Sequence, residues 1–247
     1  MLATIHFPQG DLRIDLSKPI AVSLPVSTAL SAARAWYIGP PEYSPVKLGN
    51  WVGSVREGAG VNFFNLFLNP HAHGTHTESF GHISPERHAV IPQLNRFFFR
   101  ALLISVMPEK QGEDLIIRKA QIESQLVETE ALLIRTLPNH EEKKNRLWSS
   151  SNPPYFEAAA LQLLAESGIQ HLLVDLPSVD REEDGGALAA HHAFWNYPDN
   201  PRYGATITEF IFVPNEVKDG EYLLNMMVPD IENDAVPSMP VLYAPVL

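Results

Sequence analysis

The stretch from Leu132 to Pro177 constrains the fold more than any other part of the chain. LLIRTL at 132–137 reads as a strand. Pro153-Pro154 then introduces YFEAAALQLLAESG, in which Phe156, Ala160, Leu163 and Leu164 recur at helical spacing. Proline near a first turn sacrifices no internal hydrogen bond, and Gly168 suits the C-terminal cap. HLLVDLP at 171–177 follows as a second strand. Strand, crossover helix and strand form a βαβ unit, which predicts a mixed α/β fold with much β structure.

The first third of the chain is rich in β-branched residues broken by Pro and Gly, which predicts short strands and turns. Strands are expected at 2–7, 12–16 and 61–68, then at 97–107, 205–213 and 221–228. Residues 29–50, interrupted by Pro40-Pro41, Pro45 and Gly49, are expected as loop. The segment 115–123 suits either strand or helix. The Pro-rich end, VPSMPVLYAPVL, is expected to wrap over the body or meet another subunit. No repeat, low-complexity tract or clear linker divides the chain, so one domain over 1–247 is expected.

Composition removes several functions. Acidic residues outnumber basic ones 29 to 18, a formal charge of −11, which argues against a nucleic-acid partner because phosphate contact needs a basic surface. No apolar run approaches a membrane span. The start, MLATIHFPQGDLRIDL, lacks a basic region followed by an apolar core, so a cytoplasmic location is expected. There is no cysteine, so disulfides and thiolate chemistry are excluded and any metal must take nitrogen and oxygen ligands.

The chemistry concentrates in NPHAHGTHTESFGH, where His71, His73, His76 and His82 fall within twelve residues around Glu78. Imidazole is a common metal ligand and proton carrier. On an extended segment His71 and His73 share a face, and a turn at Gly74 could bring His76 round. In ATITEFIFV, Ala205, Ile207, Glu209, Ile211 and Val213 share one strand face. A carboxylate buried there is costly unless paired or metal-bound, so Glu209 is a candidate ligand. Asp175, in LLVDLP, could orient a ligand, bind metal or cap a turn. Ser178 and Asp180 are expected as turn formers. Trp36, Tyr37, Phe80, Trp148 and Trp195 are candidates for an aromatic pocket, although each alone suits packing.

Gly74-Thr75-His76-Thr77-Glu78 followed by His82 resembles the signature of the cyclase-like metal-dependent hydrolase family that includes bacterial kynurenine formamidases. That signature has Asp where this chain has Glu78. Its first histidine corresponds to Ala72, so the role passes by one residue to His71 or His73. His71 is favoured because it follows Asn-Pro at the end of a strand. DLPSVD at 175–180 and AAHHAF at 189–194 resemble the family's second segment, with His191 as the ligand and His192 orienting it or lining the pocket.

The resemblance implies a swivelling β/β/α fold, assembly as a homodimer or larger homo-oligomer such as a tetramer, and one or two Zn²⁺ or Mn²⁺ ions per subunit. It implies that His71, His76, Glu78, His191 and Glu209 hold the metal, with His73 in reserve, and that His82 is the general acid/base. The reaction implied is hydrolysis of a C–N amide bond in a small molecule, N-formylkynurenine being one candidate (an arylformamidase). The same centre could open a lactone or cyclic imide. A non-catalytic metal- or ligand-binding protein of the same fold is the alternative of a different class.

Overall fold

The computed structural model describes residues 1–246. Its centre is a nine-stranded mixed sheet in the order Ala235–Pro237, His76–Glu78, Thr206–Glu209, His171–Val174, Ala131–Thr136, Phe98–Val106, Gly220–Asn225, Val241–Tyr243 and Ile20–Ala21. The four strands from Thr206–Glu209 to Phe98–Val106 are parallel, and the flanking strands join antiparallel. Parallel strands joined by crossovers must be covered on both faces, which explains their continuous apolar runs. Alternation decides which face each residue serves. Leu132, Ile134, Leu172 and Val174 pack into one core, whereas Ala131, Leu133 and Leu173 pack into the other.

The first of these cores lies beneath the helices. Helix α2 (Ala158–Glu166) buries Ala160, Leu161 and Leu164, and α3 (Ala189–Trp195) adds Ala190, Phe194 and Trp195. A fully buried leucine contributes roughly 1.5–3 kcal/mol. The short α1 (Lys119–Glu123) contributes Ile122. Helix α2 ends as its sequence predicts, with Gly168 in the left-handed region at φ 80° and Ile169 N–H returning to Leu164 O.

The mixed α/β architecture and the βαβ unit agree with the sequence expectation, while several boundaries move. Pro153-Pro154 does not open the helix. Tyr155–Phe156 is extended and pairs in parallel with Asp114–Ile117, so Phe156 enters the core from a strand and α2 starts at Ala158. The segment 115–123 is strand to Ile117 and helix from Lys119. The strand expected over 205–213 ends at Glu209, because Phe210 turns with φ 56°. The Pro-rich C-terminus contributes Ala235–Pro237 and Val241–Tyr243 to the sheet.

The loop expected at 29–50 contains Glu42–Pro45, which pairs with Phe64–Phe67 in a separate two-stranded ribbon. Tyr43, Phe64, Leu66 and Phe67 are all exposed on it. Lys47–Leu48 and Trp51–Val52 form a second short hairpin beside it in sequence. Among the described residues, no helix is long and apolar enough to cross a membrane.

One buried histidine belongs to the sheet. His171 is 4 % exposed, shares a 2.9 Å hydrogen bond with Thr206 Oγ1 and packs on the Phe99 ring. Burial, reinforced by Arg96 and Arg202, brings its pKa down to about 3. The folded state therefore refuses a proton that the unfolded chain accepts near 6.5, so stability is lost as pH falls from about 6.5 towards 3. Relative to His171→Gln, the wild type should lose about 1.4 kcal/mol per pH unit across that window, read by denaturant titration. A difference independent of pH would refute the assignment.

Candidate metal centre

The ligand candidates converge at the carboxyl ends of the parallel strands, where crevices form in sheets of this kind. The strand His76–Glu78 lies between Thr206–Glu209 and Ala235–Pro237, with His76 opposite Glu209 and Glu78 opposite both Ile207 and Ala235. Residues two apart share a face, so His76, Glu78 and Glu209 project together. Two glycines hold the entry and exit of this segment. Gly74 turns at φ 75°, and a Cβ there would meet Leu24 O and Pro25 O at 3.0 Å. A Cβ on Gly81 would fall 2.3 Å from His88 O, so only glycine admits the turn that carries His82. Thr75 fixes the segment from within, its hydroxyl accepting from Leu24 N–H and donating to Phe210 O.

Three histidines present the same arrangement. His76 uses Nδ1 on Gly74 O at 3.2 Å, His191 uses Nδ1 on Asp180 at 2.6 Å, and His71 uses Nε2 on Asp234 at 3.0 Å. Each outer nitrogen donates its proton to an oxygen, which leaves the inner nitrogen with a lone pair facing the carboxylates in the neutral form. His71 Nδ1 lies 3.0 Å from Glu78 Oε2, His191 Nε2 3.1 Å from Glu78 Oε1, and His76 Nε2 3.4 Å from Glu209 Oε2. His76 Nε2 and Glu78 Oε2 are nevertheless buried without an aligned hydrogen-bond partner.

An ion with nitrogen and oxygen ligands would fit these inward-facing atoms, and it would satisfy the two that lack a partner. Three overlapping groups bring their candidate ligand atoms within 4.8 Å of one another: His71, His76 and Glu78; His71, His82 and Asp234; and Glu78, His82 and His191.

The ion-free electrostatics show the same demand. Burial opposes the charged forms of His71 and His191. For His71 the contacts with Asp234 and Glu78 outweigh it, and for His191 those with Asp180 and Glu78 do, pushing both pKa values up to about 10. Burial also opposes ionisation of Glu78, but the charge of His82 and the contacts with His191 and His71 hold it well below the usual range. Glu209 is pushed up by burial and then by the charge of Glu78. Contacts with His71 and His82 hold Asp234 far below its usual value. A divalent ion among these groups would compete with protons on His71 and His191.

The structure brings His71, His76, Glu78, His82, His191 and Glu209 to one cleft. His73 is elsewhere, accepting from Asn69 N–H at Nδ1 and donating from Nε2 to Gly39 O. His192 points to Tyr197 O. Asp175 takes none of its three expected roles. It is buried, accepts from Thr136 N–H and pairs with Lys143 Nζ at 2.7 Å, and burial raises its carboxyl despite that partner. Ser178 is a turn former, its hydroxyl accepting from Asp180 N–H at 3.1 Å.

Asp180 does more than turn the chain. It accepts from the N–H groups of Ala190 and His191 at the start of α3 as well as from the His191 ring. Asp234 had no sequence signal beyond an acid before an apolar pair, yet it reaches His71 and stands 3.7 Å from His82 Nδ1. Of the five aromatic candidates, Trp36 lines the cleft and Trp195 packs against the His191 ring. Phe80 and Trp148 are buried in the core, and Tyr37 is largely exposed.

The sequence matches a family model, described as "Cyclase: Putative cyclase", over residues 14–181. No curated protein matches it. Among solved structures, the chain is similar to a potential metal-dependent hydrolase with cyclase activity, at 16 % identity and TM-score 0.64, over 93 % of this chain and 99 % of that one. A predicted metal-dependent hydrolase from Bacillus stearothermophilus gives 16 % and 0.58, over 92 % and 98 %. Isatin hydrolase A from Labrenzia aggregata, bound to benzyl benzoate, gives 12 % and 0.63, over 93 % and 94 %. At these identities the likeness concerns the fold.

Because Asp180 both orients His191 and fixes its tautomer, Asp180→Asn should weaken divalent-ion binding at this candidate centre roughly 10- to 100-fold in chelator competition. Unchanged affinity would remove Asp180 from the support of the site.

Proposed function

The chain belongs to the cyclase family, and on that premise we propose that it is a metal-dependent hydrolase cleaving a C–N amide bond of a small molecule. The observation that carries this reading is the shared arrangement of His71, His76 and His191, each tied by its outer nitrogen to an oxygen and turned by its inner one towards Glu78 or Glu209. These three, with Glu78 and Glu209, would hold one or two divalent ions, and a set of imidazoles and carboxylates suits zinc or manganese. A bound ion supplies Lewis-acid activation of water and of the amide carbonyl.

The remaining steps fall to the chain's own groups. The cleft measures about 310 Å³, a volume that suits a small molecule. Trp36, Ile38 and Leu188 give it apolar walls, and Arg181 adds a cation. His82 faces the same cleft, partly exposed, with its ring centre 5.4 Å from that of His191. That position suits delivery of a proton to the departing amine nitrogen, and Asp234 orients its ring and balances its charge.

N-formylkynurenine, as the substrate of an arylformamidase, is one candidate. Cyclic amides are the second, supported by the isatin hydrolases that share the fold. The test is a hydrolysis screen with Zn²⁺ or Mn²⁺ that sets N-formylkynurenine beside isatin, cyclic imides and lactones. Turnover of an amide is expected, with His82→Asn lowering kcat by roughly 10²- to 10⁴-fold at unchanged metal content. A metal-loaded protein that hydrolyses none of them would favour a non-catalytic binding protein.

We also propose that the chain works as a homo-oligomer, a dimer or tetramer, held through the ribbon of Glu42–Pro45 and Phe64–Phe67. Tyr43, Phe64, Leu66 and Phe67 are exposed on it, and Leu48, Val55, Val61 and Phe63, nearby in sequence, are all more than half exposed. Exposed large apolar side chains gathered on so short a stretch suit an interface. The double variant Phe64→Asp, Phe67→Asp should sediment as a monomer while the wild type does not. A monomeric wild type would refute the assembly.

A further inference from the structure

The rim of the cleft has an unfavourable backbone conformation, and one carboxylate braces much of it. Trp36 and Ile38 line one wall, and the segment 148–152 lies behind them. Among the described residues, four of the seven non-glycine positions with left-handed backbone fall in these two short stretches: Trp36 at φ 62°, Tyr37 at 59°, Ser150 at 59° and Asn152 at 43°. Non-glycine residues leave this region unless surrounding contacts over-determine them, and such clusters accompany functional sites.

Glu182 supplies much of the determination. One carboxylate oxygen accepts from Tyr37 OH at 3.0 Å and from Ser150 N–H, and the other accepts from Asn152 N–H at 3.1 Å. It thereby ties both strained segments to the loop that carries Asp180 two residues earlier. Asp180 turns inward to His191, whereas Glu182 turns to the rim. Tyr37 N–H reaches Ser149 Oγ at 2.8 Å, a second tie between the same segments. The wall is also joined to the metal-ligand cluster, since Trp36 Nε1–H donates to His71 O at 3.1 Å.

We propose that Glu182 is a positioning and specificity-determining residue that holds the Trp36–Ile38 wall in place over the ligand cluster. The inference rests on the hydrolase reading. Without the carboxylate, Tyr37 OH and the two amides lose their shared acceptor. Water can solvate them, but it cannot hold two chain segments at one spacing, so the strained residues relax and the indole of Trp36 leaves its place. Glu182 touches none of the ligand side chains, so metal retention does not depend on it. The wall governs how well a substrate is held more than how fast the bond breaks.

The experiment uses the metal-loaded full chain and the variants Glu182→Ala, Glu182→Gln and Tyr37→Phe, with the exposed neighbour Glu183→Ala as control. In Glu182→Ala, hydrogen exchange at the amides of residues 36–38, 150 and 152 should accelerate at least tenfold, with metal content unchanged. KM for the amide found in the screen should rise about tenfold while kcat stays within about twofold. Glu182→Gln, which keeps one acceptor oxygen, should restore part of both effects, and Tyr37→Phe should show a smaller version of them. Unchanged exchange in Glu182→Ala would overturn the clamp, and a fall in kcat with unchanged KM would overturn its role in specificity. A wild type that hydrolyses no amide would refute the hydrolase reading and with it the role in specificity, while exchange alone would still decide the clamp.

Discussion

The burial of Glu78 and Glu209 side by side is the constraint on which the rest of the molecule depends. Two carboxylates at 0 % and 3 % exposure repel one another in a low-dielectric setting, and neither can be relieved by water. Positive charge relieves this, from protons on His71 and His191 or from a divalent ion among the same atoms, and the same crowding pushes the Glu209 carboxyl up. The surrounding structure serves that balance. Asp180, Asp234 and the carbonyl of Gly74 fix the outer nitrogens, and the fixed tautomers aim the lone pairs inward.

The sheet is what allows such a cluster to be rigid. Glu209 ends a parallel strand, His76 and Glu78 lie on its antiparallel neighbour, and Asp234 immediately precedes the strand on the other side. Asp180 and His191 belong to the crossover that covers the same end. Each candidate ligand thus leaves a strand end, a helix or a glycine-held turn, and the backbone hydrogen bonds of the sheet set the spacing between carboxylates. The Thr77–Thr208 hydroxyl contact at 2.8 Å reinforces the pairing from the face opposite the ligands.

How much of this was legible depended on whether the signal was local. The βαβ unit was plain because apolar runs and a helical period are read within a few residues, and the match between strands 131–136 and 171–174 follows from them. The helix start was misplaced because Phe156 is apolar at helical spacing, yet its backbone is claimed by a parallel partner at Ile117 that no local pattern reveals. The histidine cluster, His191 and Glu209 stood out as polar groups in apolar or concentrated settings. Between His71 and His73 periodicity could not choose, because both can face one side of an extended chain. Asp234, Glu182 and the Lys143–Asp175 pair were invisible, since each acquires meaning only from a partner far away in sequence.

The strand that carries His76 and Glu78 has a consequence for how the chain reaches this state. Its hydrogen-bonding partners are Thr206–Glu209 and Ala235–Pro237, both far later in the chain. Closing so long a loop is entropically slow, and until it closes the two acids have no enclosed place to meet. The ligand strand is therefore an early segment that must wait for late ones. Completion of the cluster coincides with completion of the sheet, so the two acids are enclosed only when distant parts of the chain have met.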